Sequence, residues 1–349
     1  MSRGQYHALR VSEVIEETAD ARSILFDIPA QLRETFHYRP GQFLTLRLPF
    51  DERTLPRCYS LSSTPVVDEP LRVTVKRVAG GRGSNWLCGC LRAGDTLQVA
   101  APAGIFTPRS LDGEFLLFAG GSGITPVLSI IRTVLAAGKG GLRLVYANRD
   151  ERSVIFGAEL ARLSREYPTR LQVIHWLDSV QGIPSQAQIG ALAQGWGRAL
   201  EGVECFICGP SVFMDATAAA LHDFGIPAAR VHIERFVSLP DDADEPSTET
   251  AAASSGSLAA TIEVSLDGVT RTVPCAPGQL LIDALEAGGL QPPYSCRAGA
   301  CAACMCKLED GEVELAKNLV LDQSDLDQGW ILACQAIPKT PSVRISYPT

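Results

Sequence analysis

The chain has 349 residues, of which 46% are apolar and 20% charged, and its net charge is −8. This length accommodates two or three domains, and an acidic chain without a basic cluster is a poor candidate for binding nucleic acid. The first twenty residues lack the apolar core of a signal peptide, so we expect a cytoplasmic protein with no membrane association, whose eleven cysteines are metal ligands or buried thiols rather than disulfides.

Short strands are predicted throughout residues 1–111. Apolar and polar residues alternate there in five runs, at 7–17, 22–28, 42–48, 71–78 and 95–100. Glycine and proline separate the runs, which is typical of an antiparallel barrel or sandwich. We therefore predict a β-barrel domain over 1–111.

From residue 112 onward, strands alternate with helices. The predicted strands are 114–120, 142–148, 171–177, 203–209 and 230–236. Helices are predicted at 126–138 and 211–224, with Thr125 as a cap of the first and Pro126 as its first residue. This alternation predicts a doubly wound parallel α/β sheet over 112–237.

Two glycine-rich turns follow strands of this region. AGGSGITP (119–126) contains Gly120, Gly121, Ser122 and Gly123, and CGPSVFM (208–214) begins with Cys208, Gly209 and Pro210. Glycines let the backbone approach a ligand, and a helix N-terminus offers N–H groups to phosphate. Ligands of open α/β sheets bind beyond the carboxyl ends of strands. The two turns therefore fit one dinucleotide, although a glycine turn alone can be only a tight connection.

Residues 238–260 are rich in Asp, Glu, Ser, Thr, Ala and Pro and lack aromatic residues, so they are predicted to be a flexible linker. The remainder, 261–349, opens with two strand-like runs joined by Asp267 and Gly268, a strong hairpin signal. A short helix at 280–288 and a cysteine-rich loop follow. We predict a small α+β domain here.

Four cysteines of this domain lie within eleven residues, at 296, 301, 304 and 306. A zinc site is disfavoured because no second C-x₂-C pair exists and no histidine follows His232. A site of all four clustered thiols requires the loop to wrap around the metal. The spacing C-x₄-C-x₂-C plus a distant cysteine is that of a plant-type [2Fe–2S] centre. We therefore predict four cluster ligands: Cys296, Cys301, Cys304 and Cys334.

The other cysteines are expected to be small buried residues. They are Cys306, Cys58, Cys88, Cys90, Cys205, Cys208 and Cys275.

The ordered motifs RCYSLSS (57–63), GRGSNWL (81–87), GGSGITP, CGPSVFM and YSCRAGACAAC resemble the ferredoxin–NAD(P)⁺ reductase superfamily with an added plant-type ferredoxin domain. This domain order is similar to that of the reductase components of multicomponent oxygenases. The stretches SNWLC, YANRDERSVIFG, HWLDSVQGIPS and DLDQGWILACQ are most similar to reductases of 3-ketosteroid 9α-hydroxylases. Phenylacetyl-CoA epoxidase reductases share the architecture. The resemblance implies a β-barrel FAD domain, a doubly wound nucleotide domain and a β-grasp-like ferredoxin domain over 261–349.

The resemblance also implies site residues. Arg57 would pair with a flavin phosphate, Tyr59 would stack on the isoalloxazine, and Ser60 would lie near N5. Glu234 would lie near the flavin, where the adjacent Arg235 departs from a commonly hydrophobic position. The residues implied for FAD are Arg57, Cys58, Tyr59, Ser60, Lys76, Gly83, Ser84, Asn85, Thr125 and Phe236. Those implied for NAD are Gly120, Gly121, Ser122, Gly123, Cys208, Gly209 and Pro210. No side-chain acid or base catalyst is expected.

The implied function is electron transfer from NADH through FAD and a [2Fe–2S] cluster to a Rieske-type terminal oxygenase, by a monomeric reductase. Flavin accepts two electrons together and can release them singly to a one-electron carrier. NADPH is an alternative, because Arg149 and Arg152 could bind a 2′-phosphate, whereas Asp150 and Glu151 favour the ribose of NADH. Two other functions stay open: the reductase of another oxygenase, such as phenylacetyl-CoA epoxidase, and a non-catalytic electron-transfer subunit.

Overall fold

The computed structural model describes residues 6–50, 53–67, 70–195, 202–236, 259–266, 268–294, 297, 299, 302–318, 320–321 and 323–347. Among them, no helix combines the length and hydrophobicity needed to cross a lipid bilayer.

The first part of the chain forms a six-stranded antiparallel sheet. Its strands are β1 (Tyr6–Thr18), β2 (Ala21–Asp27), β3 (Phe43–Phe50), β4 (Arg53–Ser60), β5 (Leu71–Lys76) and β6 (Thr96–Ala100). Their order is β4-β3-β6-β1-β2-β5, and a bridge between Leu61 and Val73 joins the two ends of the sheet. The predicted barrel is therefore confirmed.

Two elements of the barrel are absent from the sequence prediction. Strand β4 contains Pro56, which obscures its pattern but is tolerated because β4 pairs along its length only with β3. Helix α1 (Arg82–Gly89) contains two glycines, which are poor helix formers. Both elements carry residues of the predicted flavin site.

The second part is a parallel sheet with helices on both faces, as predicted. Its strands are β7 (Glu114–Gly120), β8 (Gly141–Asn148), β9 (Leu171–Leu177), β10 (Glu204–Cys208) and β11 (Val231–Glu234), in the order β11-β10-β7-β8-β9. Its helices are α2 (Ile124–Ala137), α3 (Gly157–Glu166), α4 (Asp178–Gln181), α5 (Gln186–Gln194) and α6 (Ser211–Asp223). Helices α2 and α3 pack on one face, and α5 and α6 on the other. The order reverses between β7 and β10, which is where such sheets bind ligands.

The predicted start of α2 is wrong. The helix begins at Ile124 with Gly123 as its N-cap, so Thr125 is its second residue and Pro126 its third. The Thr125 hydroxyl donates to the Ser122 carbonyl at 3.0 Å. Proline has no N–H group, and it is tolerated anywhere in the first turn because the N–H groups there have no partner within the helix. Its presence therefore does not identify the first residue of α2.

The third part is an α+β unit. Its elements are β12 (Ala260–Leu266), β13 (Val269–Cys275), α7 (Leu281–Ala287), β14 (Met305–Asp310), β15 (Val313–Leu315), α8 (Gln323–Asp327), β16 (Trp330–Leu332), β17 (Ala336–Pro338) and β18 (Ser342–Ser346). The main sheet has the order β13-β12-β18-β14-β16, with β15 and β17 paired separately. The predicted hairpin and the end of α7 at Gly288 are confirmed.

Residues 238–258 of the predicted linker lie outside the described residues. Ala260, the last residue of the predicted linker, instead belongs to β12 and pairs with Cys275. Alanine is common in linkers and contributes little to the alternation of apolar and polar residues that identifies a strand. The sequence therefore places Ala260 in the linker although it begins β12.

Candidate functional site

Strand β4 and helix α1 bring together three predicted flavin residues. Arg57 and Tyr59 are two apart in β4 and therefore point to the same face. Gly83 lies in the first turn of α1, where an added Cβ would be 3.1 Å from Arg57 Cγ and 3.6 Å from Tyr59 Oη. A side chain at this position would crowd the stem of Arg57 and reduce the space between it and the ring. The cradle fits a phosphate group bound beside Arg57.

Ser84 and Asn85 fix the turn that precedes α1. Ser84 Oγ accepts from the Val78 N–H at 3.1 Å, and Asn85 Nδ2 donates to the carbonyls of Val78 at 3.0 Å and Gly81 at 2.6 Å. Their side chains are thus engaged within the protein. The backbone N–H of Asn85 is engaged as well, because it donates to the Gly81 carbonyl at 3.3 Å.

Lys76 lies where the barrel meets the nucleotide sheet. Its Nζ is 3.8 Å from Asp20 Oδ2, and an added Cβ on Gly121 would be 3.6 Å from the same nitrogen. The ammonium therefore lies beside the first glycine turn, which the sequence alone does not indicate.

The two glycine turns pack directly on each other. An added Cβ on Gly209 would be 2.9 Å from Gly120 Cα, and one on Gly123 would be 2.0 Å from the Cys208 carbonyl oxygen. Gly121 has a φ of +52°, and its carbonyl accepts from Tyr146 Oη at 3.0 Å. The glycines are thus required for contact between the turns as well as for ligand approach. The turns form one continuous surface at the carboxyl ends of β7 and β10.

Three further predicted flavin residues lie close in sequence or strand pairing to these turns. Thr125 is buried at the start of α2. Glu234 is buried at the end of β11 and pairs with Cys208 of β10, whose thiol has a pKa raised by burial. Phe236 is 47% exposed immediately beyond that strand, an unusual exposure for an aromatic ring that fits a role in covering a ligand.

Arg235, which departs from the family pattern, has a partner within the nucleotide unit. Its guanidinium is 2.7 Å from Asp215 Oδ1 on α6. The charge is therefore directed at a helix of the same unit.

The segment after β8 forms a compact polar turn. Asp150 Oδ1 accepts from the Ser153 N–H at 3.0 Å and from its hydroxyl at 2.8 Å. These hydrogen bonds, with those from Arg149, lower the pKa of Asp150. Arg149 remains 70% exposed at its side chain, and Glu151 and Arg152 are also exposed.

Two predicted cluster ligands lie side by side. Cys304 precedes β14 and Cys334 follows β16, separated by 29 residues in sequence, and both are buried. The Ala333 N–H donates to the Cys304 carbonyl at 3.1 Å, which extends the β14–β16 ladder by one pair and places Cys334 one residue beyond the partner of Cys304. Cys296 and Cys301 lie outside the described residues. In the part of the chain that is described, no three metal-binding side chains come together.

The loop before Cys304 has a backbone suited to a cluster. Arg297, Gly299 and Ala302 have φ values of +50°, +72° and +53°. Such left-handed residues curl a loop so that its N–H groups point inward, as at many iron–sulfur sites. An added Cβ on Gly299 would be 2.6 Å from the Lys317 carbonyl oxygen, so only glycine fits there. Thiol donors and this loop geometry together fit a [2Fe–2S] centre.

Two side chains not identified from the sequence hold this loop in place. Gln335 Nε2 donates to the Arg297 carbonyl at 2.8 Å. The Arg297 guanidinium forms ion pairs with Asp283, at 2.7 Å, and with Glu286, both on α7. The position of Gln335 next to Cys334 is the one local signal that could have indicated it.

Predictions for the other cysteines hold with one exception. Cys88, Cys205, Cys208, Cys275 and Cys306 are buried, and Cys58 is partly so. Cys90 is exposed, so its prediction is wrong. It follows the last residue of α1, where the chain turns to solvent.

A cleft of about 590 Å³ lies where the three units meet. Phe106 and Arg109 line it from the barrel side, Glu234 from the nucleotide sheet, and Met305 and Leu321 from the third unit. Met305 directly follows Cys304. The third unit therefore contributes Met305, the neighbour of Cys304 in sequence, to the same cleft as Glu234.

Replacing Arg57 with Gln tests the flavin site. The change keeps a polar side chain but removes the charge, so FAD affinity should fall about ten- to hundredfold, the value of one charge-assisted hydrogen bond. Flavin absorbance per chain and titration of the apoprotein with FAD measure this. Arg47→Gln is the control, because Arg47 in neighbouring β3 lies over the Tyr6 ring at 3.7 Å. Equal FAD affinity in both variants would remove Arg57 from the site.

Three families match successive parts of the chain. Residues 8–107 match the oxidoreductase FAD-binding domain, 117–219 the oxidoreductase NAD-binding domain, and 264–339 the 2Fe-2S iron-sulfur cluster binding domain. The matches follow the order of the three units of the fold.

Full-length relatives have the same arrangement. The chain is 50% identical to the ferredoxin reductase component of 3-ketosteroid-9-alpha-monooxygenase from Rhodococcus rhodochrous, across 97% of this chain and 96% of that protein. It is 36% identical to one component of the 1,2-phenylacetyl-CoA epoxidase from Escherichia coli K12, across 98% of each. Phthalate dioxygenase reductase has the same fold, with a TM-score of 0.59 and 24% identity over 98% of each chain.

Proposed function

Because the chain belongs to the family of three-domain oxygenase reductases that includes the ferredoxin reductase component of 3-ketosteroid-9-alpha-monooxygenase, we propose that it supplies electrons to the oxygenase of such a steroid hydroxylase system. It is an oxidoreductase with FAD-binding, NAD-binding and [2Fe–2S]-binding domains. The observation that carries the proposal is the near-full-length identity of 50% to that reductase component.

The cofactors supply the chemistry: nicotinamide gives a hydride, flavin divides the electron pair, and the cluster carries single electrons. In our proposal, Arg57 and the first turn of α1 bind the flavin phosphates. Tyr59 and Phe236 would lie against the ring of a bound flavin and shield it from water. The turns at Gly120 and Gly209 orient the dinucleotide toward it. Cys296 and Cys301 join Cys304 and Cys334 around the cluster.

The remaining predicted flavin residues have positioning roles in this proposal. Ser60 and Thr125, which are both buried, would border the reacting end of a bound flavin. Lys76 lies beside Gly121, where an ammonium can neutralise phosphate charge. Glu234 closes the same end of the nucleotide sheet.

We propose NADH rather than NADPH as the electron donor. Asp150 and Glu151 lie directly beyond the second strand of the sheet, where carboxylates repel a 2′-phosphate. The lowered pKa of Asp150 keeps that carboxylate charged. Arg149, which is exposed, is the group that would support NADPH.

We further propose a Rieske-type oxygenase as the partner, a monomeric state and a cytoplasmic location. Buried thiols such as Cys88 and Cys205 fit a reducing compartment. The proposed domain limits are 1–111, 112–237 and 261–349, with 238–260 as the tether apart from Ala260.

Reconstitution tests the function. The purified protein, carrying FAD and cluster, should reduce cytochrome c with NADH. It should support hydroxylation of a 3-ketosteroid when combined with a 3-ketosteroid 9α-hydroxylase oxygenase. The value of kcat/KM should be about ten- to hundredfold higher with NADH than with NADPH, since each charge-assisted contact contributes about that factor.

The competing functions predict different results. A non-catalytic electron-transfer subunit would bind both cofactors yet show no NADH-driven reduction of cytochrome c. The 36% identity to the epoxidase component makes phenylacetyl-CoA epoxidase the second candidate system. Product formation with that oxygenase, and none with the steroid hydroxylase, would contradict the proposed partner.

A further inference from the structure

Tyr347 has a buried hydroxyl without a strong hydrogen-bond partner among the described residues. The residue follows β18 directly and is 6% exposed. Its oxygen is inaccessible and makes no hydrogen bond of ordinary geometry with the described residues. Buried tyrosine hydroxyls usually have a partner, so this oxygen points to a group that completes the site.

The register of the sheet brings Tyr347 next to the cysteines. In the β14–β18 pair, Lys307 lies opposite Ser346, so the next position along each strand sets Cys306 beside Tyr347. The ring belongs to the same buried core as Cys304, Cys306 and Cys334. Its backbone N–H donates to the Ser265 carbonyl at 2.9 Å, which fixes its position.

Three thiols of this core are those of Cys304, Cys306 and Cys334. Cys304 lies two residues before Cys306, and residues two apart on an extended chain point to the same face, here the face shared with Tyr347. Of these three, the Cys306 thiol lies beside Tyr347 by strand register, but a neutral thiol is only a weak hydrogen-bond partner. The other two are predicted cluster ligands. A phenol with its ordinary protonation is a hydrogen-bond donor, and a metal-bound thiolate is a better acceptor than a thiol.

We propose that the Tyr347 hydroxyl donates a hydrogen bond to a cysteinyl sulfur of the [2Fe–2S] centre, on Cys304 or Cys334, and so raises the reduction potential of the cluster. The proposal rests on the proposed cluster site. Reduction adds negative charge that is shared with the sulfurs, so a donor stabilises the reduced cluster more than the oxidised one. Tyr347 thereby makes the cluster a better electron acceptor from flavin.

Tyr347→Phe removes only the hydroxyl. In the full-length holoprotein, we expect the reduced-to-oxidised ratio of the cluster at a fixed potential to fall about tenfold. For a one-electron couple, a tenfold change corresponds to a potential about 59 mV more negative. A redox titration followed by electron paramagnetic resonance measures the cluster potential. Iron content and flavin potential should stay unchanged, which a general structural defect would not allow.

Cys306→Ala is the matched control, because it removes a polar atom from the same core and keeps the hydroxyl. Its cluster potential should not fall. An unchanged potential in Tyr347→Phe with an intact cluster would overturn the proposal. A fall in Cys306→Ala equal to that in Tyr347→Phe would also overturn it, since the effect would then pass through Cys306. A wild-type protein that binds no cluster would contradict the proposed function itself.

A second variant covers loss of the cluster in Tyr347→Phe. Site-specific replacement of Tyr347 by 3-fluorotyrosine keeps the hydroxyl and makes it a stronger donor. The cluster potential should then rise above the wild-type value. An unchanged or lower potential would overturn the proposal.

Discussion

Replacing Cys334 with serine is expected to abolish the iron–sulfur centre. The protein should fall from about two irons per chain to almost none, because a plant-type cluster needs all four thiolates. Loss of a residue that only contacts a metal ligand lowers activity about 10–100-fold. Cluster-dependent reduction of cytochrome c and of the oxygenase should fall by more than this factor, because a ligand itself is lost. FAD should remain bound, so NADH-driven reduction of ferricyanide should persist. Iron and sulfide analysis, the visible spectrum and both activities measure this.

Cys275→Ser is the matched control for Cys334→Ser. Cys275 is 2% exposed in β13 of the same unit, and its thiol has a pKa raised by burial to about 11. This control should keep its iron, and so should Cys306→Ser. If Cys334→Ser keeps a full cluster while Cys306→Ser loses it, the fourth ligand is Cys306 and the predicted spacing is wrong.

Replacing Gly123 with alanine is expected to disable the nucleotide site. The new Cβ would lie 2.0 Å from the carbonyl oxygen and 2.4 Å from the carbonyl carbon of Cys208. Both atoms belong to the backbone of β10, so the two glycine turns must move apart. Overpacking of this kind costs about 1–3 kcal/mol, and a misplacement of about 1 Å can lower catalysis about a hundredfold. The melting temperature and kcat/KM for NADH should therefore both fall, while FAD is retained.

Gly113→Ala is the control for this substitution. Gly113 immediately precedes β7 in the same unit, and an added Cβ there meets no atom within 4 Å. Its stability and kcat/KM should match the wild type. A Gly123→Ala protein with a lowered melting temperature but normal kcat/KM for NADH would show that the turns serve packing alone.

The sequence was informative wherever a pattern is local. Alternation over 71–78 and the buried run 114–120 identified β5 and β7, because burial of one or both faces selects apolar residues at fixed intervals. The cysteine spacing predicted a cluster because three ligands from one loop must reach the same two irons. Asp267 and Gly268 identified a hairpin through turn geometry alone.

The sequence was less informative where a residue's role depends on a distant neighbour. Pro56 hid β4, since its edge position appears only when the strand order is known. The sequence predicts Thr125 as a cap, although the helix begins at Ile124. It also predicts that Cys90 is buried, although this residue is exposed at the end of α1. In each case, local composition does not specify which distant part of the chain packs against the residue.

By itself, the sequence therefore determined the three kinds of unit, their order and the motifs for flavin, dinucleotide and cluster. Each of these depends on intervals of a few residues or on a spacing that chemistry restricts. The tertiary structure alone decided that Gly83 lies between Arg57 and Tyr59, that Gly123 packs on Cys208, and that Tyr347 faces the cysteines. Those contacts join segments that are far apart in the chain. They are set by strand order and register, which follow from packing the whole core rather than from any single segment.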